Sequence, residues 1–143
     1  MQILVNFLLF QLAWFACVLG GANAMPWLGP LVVLGVVAYH LSRAAQPRSE
    51  AALLVTAGLI GTVFDSALVS TGWLAYPSGQ WFPSMAPYWI IAMWVAFATT
   101  LNVSLSWLHG RMRLAAAFGA IGGVIKTILK LKDMFLSVLG KAA

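Results

Sequence analysis

Long apolar segments separated by short polar connections make up most of the chain. Residues 3–21, 27–41, 52–74 and 88–108 are each predominantly apolar, and the polar positions inside them are few. A helix of about 20 apolar residues crosses the roughly 30 Å hydrocarbon core of a bilayer. The pattern therefore predicts an all-α integral membrane protein, in which a bundle of four transmembrane helices belongs to a single membrane domain over residues 1–143.

The last segment, residues 114–141, departs from this pattern because charged residues enter the apolar run. At helical spacing five polar residues fall along one stripe, namely Lys126, Lys130, Asp133, Ser137 and Lys141, and Lys132 is the exception on the apolar side. A basic amphipathic helix of this kind suits the headgroup region of an anionic leaflet. The alternative is a fifth transmembrane helix with Gly119 and Gly123 as a packing notch. The sequence leaves both alternatives open and favours the surface helix.

Basic residues between the segments predict the orientation. Arg43 and Arg48 lie between the second and third segments, and Arg111 and Arg113 follow the fourth. The connection between the third and fourth segments is uncharged and rich in proline and aromatic residues, as is typical of an outer interface. By the positive-inside rule, we expect the basic connections and the amino terminus to be cytoplasmic.

Composition excludes an ordinary soluble domain. Of the 143 residues, 62% are hydrophobic and only 8% are charged, whereas soluble domains carry about 25% charged residues. The Lys and Arg residues that give the net charge of +5 lie between and after the apolar segments. That placement is typical of orientation signals in membrane proteins, so we expect no nucleic-acid partner. The single Cys17 excludes an intramolecular disulfide. Ala22-Asn23-Ala24 imitates a signal-peptidase site, but no basic residue precedes the apolar run, so we expect a retained first helix.

The third segment carries an acidic residue, Asp65, near its middle. An intramembrane carboxylate faces the protein interior and is a functional candidate by default. Helical periodicity places Asp65 on a face of small residues, which predicts close helix packing at Ala57, Gly58, Gly61 and Thr62. Two roles stay open for Asp65. It could be a structural, protonated carboxylic acid that donates to a backbone carbonyl or accepts from a tryptophan N–H, or a group that couples proton or cation movement.

A second polar level is predicted nearer the inner face. Gln11, His40, Thr99 and Asn102 lie at roughly 8–12 Å from that face when the helical rise is counted, and with Asp65 they form the predicted polar interior. Interhelical hydrogen bonding is the favoured interpretation of these four residues. No nucleophile, metal-ligand or phosphate-loop motif occurs, so we assign no catalytic residue and expect no metal and no cofactor.

Three stretches resemble a known family: NFLLFQLAWFACVLG at 6–20, FDSALVSTGWLAYPSGQ at 64–80 and APYWIIAMWVAFATTLNVSLSWLHGR at 86–111. Over roughly the first 120 residues, the chain resembles the bacterial inner-membrane proteins grouped as domain of unknown function 2878. The resemblance implies a multi-pass protein of the bacterial cytoplasmic membrane, sometimes encoded near genes for fatty-acyl or phospholipid modification. After about Gly123 we expect the chain to depart from the family.

Three functions from different classes fit these features. The favoured one is an accessory or structural component linked to membrane-lipid metabolism, which binds lipid or a partner enzyme. The first alternative is a small dimeric proton-coupled transporter that uses Asp65. The second alternative is a membrane-embedded subunit of a lipid-modifying enzyme. The expected partners are membrane lipid and either a second copy of the chain or a membrane partner protein.

Overall fold

The structure is a computed structural model that describes residues 1–108, and this part of the chain is all-helical. The helices α1, α2, α3 and α4 cover Gln2–Ala22, Leu28–Arg43, Pro47–Ser70 and Tyr88–Leu101, and a short 3-10 helix covers Ser106–Leu108. Residues 1–106 form one compact unit. The predicted segment 114–141 lies outside the described residues, so the choice between a surface helix and a fifth span stays open.

Helix α3 begins earlier and ends earlier than the predicted segment 52–74. It starts at Pro47, where the missing proline N–H would have no helical partner. At its other end, the Thr71 hydroxyl donates to the carbonyls of Ala67 and Leu68. Gly72 then adopts a positive φ of 74°, which an L-residue with a side chain rarely adopts. The chain therefore leaves the helix before residue 74.

Helix α4 ends at Leu101, although the apolar pattern predicted a helix to residue 108. The N–H groups of Val103 and Leu105 both donate to the Thr100 carbonyl, at 3.2 and 2.8 Å. The side chains of Asn102 and Ser104 bond to groups outside α4. Polar side chains that find such partners compete with helix continuation, so a turn replaces the last part of the predicted helix.

Helix α4 holds the unit together, because it packs against α1, α2 and α3, while α1 also packs against α2. The buried core joins α1, α2 and α4 through the large Trp89 ring and smaller apolar side chains, namely Ala13, Cys17, Val33, Val36, Ile90 and Ala96. Helix α3 reaches the bundle mainly through α4. The α3–α4 contact therefore decides where the functional residues of α3 stand.

Glycines permit the closest approaches between helices. A Cβ on Gly61 of α3 would stand 2.1 Å from the indole Cγ of Trp94 on α4. A Cβ on Gly29 of α2 would stand 2.6 Å from the Cys17 sulfur on α1. Neither distance is physically possible for a real methyl group, so both helix pairs depend on glycine. Small residues play this role widely in membrane bundles, where backbones must approach closely.

The outer surface of the unit is strongly apolar. Helices α1 and α3 are long and apolar enough to cross a membrane, and α2 and α4 are shorter apolar helices. On α3 the bulky side chains point outward, with Leu59 63% exposed and Val63 72% exposed, whereas Gly58, Gly61 and Asp65 are buried. On α3, Asp65 thus faces the bundle and most bulky apolar side chains face outward.

We expect Gly61→Ala to destabilise the protein, because the new methyl group must displace the Trp94 ring. Overpacking of this kind lowers the free energy of unfolding by about 1–3 kcal/mol. The measurement is thermal unfolding of the purified protein in detergent. Gly35→Ala is the matched control, since a Cβ on Gly35 of α2 meets no atom within 4 Å. Equal melting temperatures for the two variants would contradict the assigned α3–α4 contact.

Candidate functional site

Asp65 accepts two hydrogen bonds inside the bundle. Its Oδ1 accepts from the Tyr76 hydroxyl at 3.0 Å, and its Oδ2 accepts from the indole N–H of Trp94 at 2.7 Å. The residue is only 8% exposed. Gly61, one turn before Asp65 on α3, leaves the space that the Trp94 ring occupies. The carboxyl group is therefore fixed by one donor from α4 and one from the loop that precedes α4.

That loop, residues 71–87, folds onto the ends of the helices, and we call it the aromatic cap. The Tyr76 ring meets Trp89 edge to face, with 5.6 Å between centroids. The Trp89 N–H donates to the Ser78 carbonyl, and the Ser78 hydroxyl donates to the Gly21 carbonyl at the end of α1. Burial raises the pKa of the Tyr76 hydroxyl, and the adjacent Asp65 raises it further. Tyr76 therefore stays protonated and remains a donor.

A second polar cluster lies at the other end of α3. His40 Nε2 stands 2.9 Å from Glu50 Oε2, and the Asn102 amide donates to Glu50 Oε1 at 2.8 Å. The His40 and Glu50 side chains are 7% and 16% exposed. Glu50 thus connects the last turn of α2, the first turn of α3 and the residue after α4. Glu50 and Asp65 share one helix, and the rise of roughly 1.5 Å per residue places them about 22 Å apart.

Asn6 extends this cluster to α1. Its amide donates to the Thr99 carbonyl at 3.0 Å, and its Oδ1 accepts from the Ser104 hydroxyl at 2.6 Å. Asn6 is only 8% exposed. A buried amide that bonds in both directions ties α1 to the end of α4, as expected of polar residues between apolar helices.

An open cleft of about 400 Å³ lies beside the second cluster, and we call it the polar cleft. Asn6, His40, Glu50 and Asn102 form its polar wall, and Arg43 lines it as well. Its volume falls within the range of about 300–1,000 Å³ that is common for small-ligand sites. His40 and Glu50 are the potential metal ligands here, and within residues 1–108 no third His, Cys, Asp or Glu completes a metal-binding group with them.

A family model described as protein of unknown function (DUF2878) matches residues 3–132. The chain belongs to the DUF2878 family. The match confirms the resemblance seen in the sequence, and it continues beyond Gly123, where we expected the chain to depart from the family. No curated protein and no solved structure matches the chain, so the chemistry of this DUF2878 protein has to be argued from its own residues.

The structure brings together only part of the predicted polar interior of the DUF2878 chain. His40 and Asn102 meet through Glu50. Thr99 is fully buried, but its hydroxyl bonds within its own helix, to the Ala96 carbonyl. Gln11 is half-buried and makes no side-chain hydrogen bond to any residue of the described range 1–108. Asp65 belongs to a separate site.

The predicted packing face of α3 is at least half-buried in the structure. Gly58 and Gly61 are buried, and Ala57 and Thr62 are half-buried. The Thr62 hydroxyl donates to the Gly58 carbonyl one turn earlier at 2.7 Å. A Cβ on Gly58 would stand 3.2 Å from Val95 of α4. These four residues therefore occupy the side of α3 that carries Asp65, away from its exposed bulky residues.

Sequence reasoning missed three partners in the DUF2878 chain: Asn6, Glu50 and Tyr76. In the sequence, Glu50 belongs to the charged connection between the second and third apolar segments. In the structure, it lies in the first turn of α3 and contacts the buried His40. The short connection between α2 and α3 is the signal that could have paired the two residues. Tyr76 looked like an interfacial aromatic residue, and no local pattern indicated that its hydroxyl reaches Asp65.

We expect Tyr76→Phe to lower stability, because it removes one of the two donors to the buried Asp65 carboxyl group. An unsatisfied buried polar group costs about 1–3 kcal/mol, measured as a lower melting temperature in detergent. Tyr88→Phe is the matched control, since the Tyr88 ring stacks on Trp81 and its hydroxyl has no hydrogen bond within residues 1–108. If both variants have the melting temperature of the wild type, the Tyr76–Asp65 bond does not stabilise the fold.

Proposed function

We propose that this DUF2878 protein is a multi-pass protein of the bacterial cytoplasmic membrane that binds membrane lipid as an accessory component of membrane-lipid metabolism. The observation that carries the proposal is the division of the bundle surface. Large apolar side chains face outward along the helices, and an open polar cleft lies at the bundle end that holds the connection between α2 and α3. The apolar surface suits the acyl chains of a lipid, and the polar cleft suits its headgroup.

The lengths of the helices support four membrane crossings. Helices α1 and α3 are each long and apolar enough to cross a membrane. Helices α2 and α4 contain 16 and 14 residues and extend over about 24 and 21 Å. Asn6 of α1 and Glu50 of α3 line the same cleft, so both helices start at the same end of the bundle. If both helices cross the bilayer, α2 must therefore return the chain across it between them. The aromatic cap and the turn after Leu101 would supply the remaining length for α4.

The basic connection supports a cytoplasmic amino terminus. Arg43 and Arg48 lie at the bundle end that holds the polar cleft, and the aromatic cap at the other end carries no charge. The positive-inside rule then places the cleft at the inner leaflet and the cap at the outer face. A second copy of the chain or a membrane partner protein would bind the exposed apolar surface.

The contacts of Asp65 weigh against the transporter alternative. A coupling carboxylate must exchange protons or ions with an aqueous path, whereas both oxygens of Asp65 accept hydrogen bonds beneath the aromatic cap. The His40–Glu50 pair is compatible with the second alternative, a membrane-embedded subunit of a lipid-modifying enzyme, because a hydrogen-bonded histidine and carboxylate can act in proton transfer.

The decisive experiment compares total lipids, by mass spectrometry, from a strain that lacks the gene and from complemented strains. We expect the deletion to change the lipid profile and the wild-type gene to restore it. Glu50→Gln should fail to restore it, because the carboxylate that holds His40 and Asn102 in the wall of the polar cleft is lost. Asp65→Asn is the comparison variant, and immunoblots establish equal protein levels. Identical profiles with and without the gene would contradict the proposed function.

Topology can be tested by cysteine labelling in whole cells with a membrane-impermeant thiol reagent. Ser49 and Ser84 are both exposed and lie at opposite ends of the bundle. We expect Ser84→Cys to react from outside and Ser49→Cys to react only after the cells are opened. The wild type is the background control, because Cys17 is buried. Reaction of both cysteines from the same side would contradict the four crossings.

A further inference from the structure

The polar cleft contains hydrogen-bond donors that the fold does not use. Gln2, Tyr39 and Arg43 line it, and within residues 1–108 none of their side chains has a hydrogen-bond or ion-pair partner. By contrast, the other polar residues of the lining bond to one another or to neighbouring groups, namely the buried Asn6 and His40, the half-buried Glu50 and the exposed Asn102. The polar wall therefore has hydrogen-bond partners within the protein. Gln2, Tyr39 and Arg43, which form the rim, offer an amide, a hydroxyl and a guanidinium group to a ligand.

The charges of the lining favour an anion. Glu50 is the acidic residue of the lining, and both of its oxygens are already occupied by His40 and Asn102. Arg43, the last residue of α2, has no such partner among the described residues. A guanidinium group binds phosphate through two parallel N–H bonds, and the amide and the hydroxyl can donate to further phosphate oxygens. Leu9, Val36 and Val103 complete the lining with apolar surface.

We propose that the polar cleft binds the phosphate of a glycerophospholipid headgroup, with Arg43 as the phosphate-binding residue and Gln2 and Tyr39 as additional donors. The inference rests on the proposed function, because lipid binding selects the membrane source of this phosphate over a soluble ester. The apolar lining then faces the glycerol and the first carbons of the acyl chains. The His40–Glu50–Asn102 network positions the wall without contacting the phosphate.

The test measures binding to the full-length protein in a neutral detergent by native mass spectrometry. The probes are phosphatidylglycerol, diacylglycerol with the same acyl chains and soluble glycerol phosphate. We expect phosphatidylglycerol to bind and the two other probes to bind much more weakly. If diacylglycerol binds equally well, the phosphate is not recognised. If glycerol phosphate binds as tightly as the lipid, the ligand is a soluble ester, and the assignment to lipid is overturned.

Two arginine variants separate a site from general surface charge. Arg43→Gln should weaken phosphatidylglycerol binding about tenfold or more, as the loss of a charge-assisted hydrogen bond predicts. Arg48→Gln removes the same charge near the same bundle end, but Arg48 lies in a different surface depression, beside Gln46, Pro47 and Ser49, so its binding should stay within about twofold of the wild type. Equal weakening by both variants would overturn the proposal.

Tyr39→Phe keeps the test decisive if Arg43→Gln does not fold. Its side chain is exposed, and we expect a smaller loss of affinity with an unchanged melting temperature. Unchanged affinity in a folded Tyr39→Phe protein would overturn the role of the rim donors. A changed lipid profile without phosphate-dependent binding defeats this inference and leaves the proposed function standing. Phosphate-dependent binding with an unchanged lipid profile would support the cleft as a phosphate-binding site and contradict the role in membrane-lipid metabolism.

Discussion

Buried polar groups of an apolar bundle must find their hydrogen-bond partners inside the protein, and the described structure follows from this constraint. Among residues 1–108, no buried side-chain nitrogen or oxygen lacks a partner. The bonds that achieve this connect distant parts of the chain, such as Asn6 with Thr99 and Tyr76 with Asp65. They fix how the helices are rotated and where the chain leaves them, which apolar packing alone specifies poorly.

The same constraint makes the two ends of the bundle different. At one end, the aromatic cap supplies donors to Asp65 and is itself bonded to α1 through Ser78. At the other end, Glu50 satisfies His40 and Asn102 but leaves the cleft beside them open. A closed end whose buried polar groups are paired suits a structural role, whereas an open end with unused donors suits ligand binding.

Much of the fold could be predicted from the sequence, because apolar length and helical periodicity are local properties. They indicated the helices and placed Gly58, Gly61 and Asp65 on one side of α3. The site was less accessible, because its bonds are tertiary. Neither the bond of Tyr76 to Asp65 nor the end of α4 follows from a local pattern, since each depends on a side chain that meets another element.

Asp65 shows how geometry changes the meaning of a residue type. An acidic residue in an apolar segment invites a proton-coupling interpretation, because it is expensive to bury and must have a reason to be there. Here two donors meet its two oxygens, and Gly61 provides the space for one of them. To act in transport, the carboxyl group would have to exchange these bonds for water while Trp94 and Tyr76 lost their acceptor. The arrangement instead joins α3, α4 and the aromatic cap, so within residues 1–108 the open polar cleft, and not Asp65, is where we propose that a ligand binds.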